Sequence, residues 1–221
     1  MDEVRISDLY TLEESLAGAF IREYTYPWEV LPHIGEIVLK AGAGLDPSLY
    51  EKKEDNIWVA KNALIYPTAT IIGPAIIGEN TQVRPGAFIR GNALVGNDCV
   101  VGNSTELKNV ILFNNVQVPH YNYVGDSILG YKAHMGAGSI ISNVKADKSP
   151  VKVKTSDKSY DTGLKKFGAM LGDHVEVGCN SVLNPGSVIG PNTNIYPLSM
   201  VRGYVPGGSI YKNHNEIVPK V

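Results

Sequence analysis

Ala63-Leu64-Ile65-Tyr66-Pro67-Thr68-Ala69-Thr70-Ile71-Ile72-Gly73-Pro74-Ala75-Ile76-Ile77-Gly78-Glu79-Asn80 is one six-residue unit written three times. Every sixth residue is small, and the series continues through Thr81, Ala87, Ala93, Cys99 and Thr105. Two places after each stands an aliphatic: Ile65, Ile71, Ile77, Val83, Ile89, Val95, Val101 and Leu107. The register returns at Ala169, Val175, Ser181, Ser187, Thr193 and Ser199, followed by Leu171, Val177, Leu183, Ile189, Ile195 and Val201. With apolar residues near half of an average chain, fourteen such hits have odds on the order of 10⁻⁵ in a fixed phase. Residues two apart face one side of a strand, so both members of each pair point inward. The intervening Gly-Glu-Asn and Gly-Asn-Asp triplets turn the chain at a corner. Three sides close a triangular coil of about 18 residues, and stacked coils pair as parallel strands. The fold class is therefore all-β, a parallel β-helix of hexapeptide repeats.

Working outward, the phase slips between the two blocks. Val110/Leu112 and Val116/Val118 keep the spacing, Pro119-His120-Tyr121-Asn122-Tyr123 interrupts it, and Ala133/Met135 and Ser139/Ile141 restore it. A polar excursion over 144–167 carries seven lysines; strict repeats break where a loop has a task. Before the repeats, Thr11 and Glu14 offer a capping box, and Leu12, Leu16, Phe20 and Tyr24 mark a helical face ending at Pro27. Val30, Leu31, Ile34, Ile37, Val38 and Ala41 predict a second helix ending at Gly42. The expected organisation is a short N-terminal helical segment over 1–56 that caps an end or serves as a linker, the β-helix over 57–210, and a tail over 211–221.

Composition narrows the function. A formal charge of −2 gives no global attraction for nucleic acid. No apolar run is long enough to cross a membrane, and the acidic start Met1-Asp2-Glu3 lacks a signal core. Cys99 and Cys179 form no metal-finger spacing, and a cytoplasmic, reduced setting is expected. Cys99 falls on an inward position; His33, His174 and His214 read as surface residues.

The segments Gly102-Asn103-Ser104-Thr105-Glu106-Leu107-Lys108-Asn109, Val118-Pro119-His120-Tyr121-Asn122-Tyr123-Val124-Gly125-Asp126, Met135-Gly136-Ala137-Gly138 and Ser142-Asn143 carry a further signal. Together they resemble the acetyltransferase domain of bifunctional sugar-1-phosphate nucleotidyltransferases, including the bacterial N-acetylglucosamine-1-phosphate uridyltransferase. The likeness covers about residues 57–210 and is strongest to the archaeal-type members, which share the lysine-bearing excursion. It implies a left-handed winding and a homotrimer with its site between subunits. It also implies transfer of acetyl from acetyl-CoA, as co-substrate, to the amine of glucosamine 1-phosphate or galactosamine 1-phosphate in nucleotide-sugar biosynthesis, with no metal required. By the same resemblance His120 is the general base, Tyr123 a substrate tyrosine and Asn143 an asparagine near the acetyl group. Lys108 binds phosphate, and Lys148 or Lys152 supplies a further substrate lysine. His134 stands where the family has an asparagine, on the acyl-donor side.

The family's phosphate arginine has two candidates. Arg84 sits in an Arg-Pro pair, whereas Arg90 lies one 18-residue coil before Lys108 and so stacks beside it. Two like charges about 5 Å apart repel by roughly 1–3 kcal/mol, a cost an anion between them removes, which favours Arg90. The chemistry is consistent: an attacking amine needs a base titrating near neutrality, and the thioester oxyanion needs a donor, from Asn143 or backbone N–H groups near Gly136 and Gly138. Small residues at Gly136-Ala137-Gly138 and Gly168-Ala169 leave room for a pantetheine arm. A zinc-dependent carbonic anhydrase on this fold needs three histidine ligands, which His120 and His134 do not supply. The main rival is a non-catalytic trimer that scaffolds or regulates a separate sugar nucleotidyltransferase. The stretch Tyr26-Pro27-Trp28-Glu29-Val30-Leu31 resembles the family's interdomain linker, yet no Gly-rich nucleotide loop is present, so no nucleotidyl transfer is expected.

Overall fold

The computed structural model describes residues 3–213 and 216–220, so His214 lies outside the described residues. The chain is a left-handed parallel β-helix of about nine turns with helices near its N-terminal end. Both members of each repeat pair point into the prism: Ala75, Ile77, Val83, Ile89, Val101, Leu107, Leu183 and Val201 are all inaccessible to solvent. Cys99 is among them, and its Sγ donates to the Phe113 carbonyl at 3.1 Å.

Outward residues form three rows, one per face. The first row runs Thr70, Phe88, Glu106, Tyr123, Ile140, Val182 and Met200. The second runs Leu64, Gln82, Val100, Gln117, His134, Glu176 and Asn194. The third is apolar: Trp58, Ile76, Leu94, Ile111, Ile128, Met170 and Val188.

The third row explains the N-terminal segment. Its side chains point away from the prism yet are buried, because helix Ile34–Ala43 lies across strands Ala75–Ile77, Ala93–Val95 and Glu106–Leu112. The 3₁₀ segment Pro27–His33 covers strand Tyr123–Leu129. Each fully covered aliphatic contributes about 1.5–3 kcal/mol, so the segment is docked along a face where an end cap was expected. Asp173 fixes its start by accepting from the Thr11 amide at 2.7 Å. The helix expected from Thr11 to Pro27 is broken into a 3₁₀ turn, Leu12–Glu14, and a short helix, Gly18–Ile21, with a further short helix, Ile6–Leu9, ahead of it, and Thr11 makes no side-chain cap. The expected second helix begins at Ile34, after a 3₁₀ turn that contains Pro32. Proline lacks the N–H that an α-helix interior uses.

The interruption expected at 119–123 is not there. Asn122 takes the inward small slot, 2% exposed, and Val124 the aliphatic one. The Asn122 amide nitrogen donates to the carbonyls of Gly136 and Ser139 and to the Ser139 hydroxyl, which satisfies a polar group inside the prism. The true slips lie at two corners, where Val110 pairs with Ala93 and Ser127 with Val110, each 17 residues apart. Asn109 (φ 55°) and Asp126 (φ 48°) make these shortened corners, a left-handed conformation that Asn and Asp tolerate. The excursion contains an antiparallel hairpin, Lys152–Lys154 with Ser159–Asp161. Tyr160 packs on Tyr26 and Trp28, and Phe167 on Trp28. In the span read as a tail, Glu216–Pro219 pairs antiparallel with Ser209–Asn213.

Candidate functional site

The shortened corners gather two of the expected substrate residues, Lys108 and Tyr123, together with Asn143. The Asp126 carboxylate is almost fully buried. It accepts from Lys108 Nζ at 3.3 Å through both oxygens, from Asn109 Nδ2 at 3.0 Å and from Asn143 Nδ2 at 2.5 Å. Asn143 Nδ2 also donates to the Tyr123 hydroxyl at 3.3 Å. Asn109 in turn donates to the Leu31 carbonyl, so the N-terminal segment holds the corner. Gly125 leaves room for this network: a Cβ there would stand 2.6 Å from Tyr123 Oη and 2.9 Å from Asn143 Nδ2 and would push both side chains aside.

Asn143 spends its amide on Asp126 and Tyr123, so the free donor is elsewhere. Tyr123 accepts from Asn143, and no described residue accepts its hydroxyl proton. Burial, ahead of the Asp126 and Glu106 charges, raises the phenol above its ordinary value. The ring therefore stays protonated at neutral pH and presents an O–H outward.

Arg90 and Lys108 share this face, since Phe88 pairs with Glu106 and Ile89 with Leu107. Arg84 lies on the second face, bonded to Gln82 Oε1. The like-charge strain expected between Arg90 and Lys108 is already relieved within the chain: Arg90 Nη1 meets Glu106 at 2.6 Å, and Lys108 meets Asp126. An anion is not needed to remove it. Glu106 and Asp126 were both missed at the level of sequence, although each falls in the segments that carry the family likeness.

His120 occupies a different corner. It ends strand Gln117–His120, pairs with Asn103, and its carbonyl accepts from the Gly138 amide at 3.0 Å. The ring is exposed, and among the described residues no hydrogen bond or ion pair holds it. Ala137 and Cys179 follow beneath it, joined by the Asn180 amide on the Ala137 carbonyl. Gly136 and Gly138 donate to Val177 and His120, so their N–H groups are already used. Three strand residues, roughly 10 Å, separate this corner from the one at Asp126. One chain thus sets its histidine and its Asp126 network on opposite edges of one face.

The remaining candidates separate from the site. His134 stands on the second face, with Nδ1 2.7 Å from Glu176. Lys148 is an exposed turn residue, and Lys152 pairs with Asp161 at 2.7 Å on the hairpin. Lys166 is nearer, because the adjoining Phe167 amide donates to the Asn143 carbonyl. Gly168 and Ala169 are buried: a Cβ on Gly168 would lie 2.2 Å from the Gly125 carbonyl oxygen, and Ala169 faces the core. Their small size serves chain packing and leaves no room for a pantetheine arm. His33 is half-buried against Tyr24, and His174 is exposed beside Tyr131. Among the described residues no group of three His, Cys, Asp or Glu side chains is placed to hold a metal ion, and no helix is long and apolar enough to cross a membrane.

Residues 71–195 match the family described as the GMPPB C-terminal domain. The bifunctional sugar-1-phosphate nucleotidylyltransferase/acetyltransferase of Sulfurisphaera tokodaii is 32% identical over 165 residues, covering 72% of this chain and 41% of that protein. The bifunctional protein GlmU of Methanococcus vannielii is 31% identical over 224 residues, covering 98% and 52%. The putative uncharacterized acetyltransferase YaiX of Escherichia coli K12 is 31% identical over 184 residues, covering 75% and 78%. The chain spans about half the length of the bifunctional relatives. A hexapeptide transferase family protein from Anaplasma phagocytophilum aligns in structure over 74% of this chain and 78% of its own, at 16% identity and a TM-score of 0.42.

Proposed function

Because the chain belongs to the hexapeptide-repeat family that includes the GMPPB C-terminal domain and the C-terminal part of GlmU-type proteins, we propose that it transfers acetyl from acetyl-CoA to the amine of an amino-sugar 1-phosphate. The observation that carries this reading is the Asp126 network, which gathers Lys108, Tyr123 and Asn143 on the face that also bears Arg90.

In this reading the sugar phosphate docks on Lys108 and Arg90, displacing Glu106 from the arginine. The amine attacks the thioester carbonyl and passes its proton to the His120 imidazole. The resulting oxyanion accepts from the Tyr123 hydroxyl, which Asn143 and Asp126 orient. On collapse the C–S bond breaks, and the thiolate of CoA takes the proton from the imidazolium. The pantetheine arm runs along Ala137 and Cys179, beneath His120.

In this reading the two edges of the site are brought together between the chains of a homotrimer. Ile140, Val182 and Met200 continue the row below Tyr123 and are 36%, 38% and 67% exposed. That apolar strip is the surface the neighbouring copy covers. The setting is cytoplasmic, and glucosamine 1-phosphate and galactosamine 1-phosphate are the substrates to try.

A non-catalytic scaffold for a sugar nucleotidyltransferase is the second reading. Glu106 favours it, since its carboxylate occupies the guanidinium that a substrate phosphate needs. Release of CoA thiol with each amino-sugar phosphate separates the two: turnover supports the enzyme, and none with any of them supports the scaffold.

A further inference from the structure

The excursion over 144–167 holds seven lysines against three aspartates, a local excess of four positive charges in a chain of net charge −2. Its hairpin is seated firmly. Val151 and Val153 are buried while Lys152 and Lys154 alternate outward. The seat is close: a Cβ on Gly186 would stand 2.7 Å from Val151 Cγ1 and 2.9 Å from the Lys152 carbonyl oxygen. Between hairpin and coils lies a cavity of about 380 Å³, lined by Lys145, Lys152, Lys154, Arg202, Asn184 and Pro185.

The charges around it do not balance. Lys152 has Asp161 at 2.7 Å and Lys145 has Asp147 at 3.5 Å. Among the described residues Lys154 and Arg202 have no acidic partner. Two uncompensated cations therefore face one small cavity, an arrangement that gains free energy when a dianion enters. Arginine supplies a planar fork suited to phosphate oxygens, and lysine a point charge. The lining has no aromatic ring on which a base or sugar would stack, so it reads the charged part of a ligand alone.

We propose that this cavity binds the diphosphate group of a nucleotide-containing ligand. Two sources share that chemistry: the diphosphate of the acyl donor, and that of a nucleoside diphosphate sugar acting as an effector. The site lies on the same edge as Asn143. Ile141 pairs with Leu183 and Leu183 with Val201, so Asn184 and Arg202 follow one and two rungs below, within roughly 10 Å of Ser142.

Calorimetric titration of the full chain with inorganic pyrophosphate tests this without turnover, so its outcome is independent of the acyl-transfer reading. Saturable binding is expected, weakened about tenfold or more in the Lys154→Ala/Arg202→Ala variant. Lys53→Ala, which removes an exposed charge elsewhere, should leave it unchanged. If the double variant melts early without ligand, Lys154→Gln and Arg202→Gln singly take its place. Displacement of pyrophosphate by CoA assigns the site to the donor; displacement by a nucleoside diphosphate sugar but not CoA assigns it to an effector. No saturable binding, equal binding by the variants, or displacement by neither nucleotide overturns the proposal.

Discussion

Asp126 and Lys108 form a part-buried ion pair in which Nζ lies 3.3 Å from both carboxylate oxygens. The same carboxylate holds Asn143, so one charge sets both Lys108, the side chain proposed to bind phosphate, and the amide that meets Tyr123. Asp126→Asn keeps the shape but halves the acceptor capacity and leaves Lys108 unpaired. It should lower kcat/KM by about 10–100-fold, the scale of a lost charged hydrogen bond. Asp126→Leu also strands the lysine and should destabilise the fold by about 3 kcal/mol. Steady-state kinetics and denaturant titration read the two effects; an Asn variant with parental kinetics removes Asp126 from the account.

The phosphate assignment separates two arginines by face. Arg90→Ala and Lys108→Ala should each raise KM for the sugar phosphate by roughly 10-fold or more. Arg84→Ala should leave it near the parental value. Sensitivity at Arg84 with none at Arg90 would mean that the local Arg-Pro pair, and not coil stacking, marks the site.

The proposed trimer rests on the strip beneath Tyr123. Light scattering should give a trimer at micromolar concentration, and Val182→Asp with Met200→Asp should give monomers that fold but do not turn over. Active monomers would contradict the shared site.

The sequence revealed the β-helix because its period-two, period-six pattern repeats in every coil, and each inward pair is a local property. It misplaced the break because Asn122 is polar: its inward slot is satisfied by Gly136 and Ser139, more than a dozen residues away. Asp126 and Glu106 escaped for the same reason, since their value lies in partners one coil distant. The N-terminal segment read as an end cap because the row it covers, Ile76 to Val188, is visible only once the coils are stacked.

Cys99 gives the fold a pH signature. Burial pushes its thiol from 9.0 up to about 12. A raised value means the folded chain holds the proton more tightly, so this contribution is complete below pH 9 and is lost as pH rises from 9 toward 12. The slope should rise from about half that of one proton at pH 9 toward the one-proton limit of about 1.4 kcal/mol per pH unit. Between pH 9 and 10, before most tyrosines of the unfolded chain ionise near 10.0, Cys99→Ala should reduce the fall in stability measured by urea titration. An unchanged slope would assign it to other groups.

The central claim is that His120 removes the amine proton. Acetyl-CoA-dependent thiol release with glucosamine 1-phosphate or galactosamine 1-phosphate should fall by about 10²–10⁴ in kcat for His120→Ala, at an unchanged trimer mass and melting temperature. A His120→Ala protein that turns over at the parental rate would contradict it.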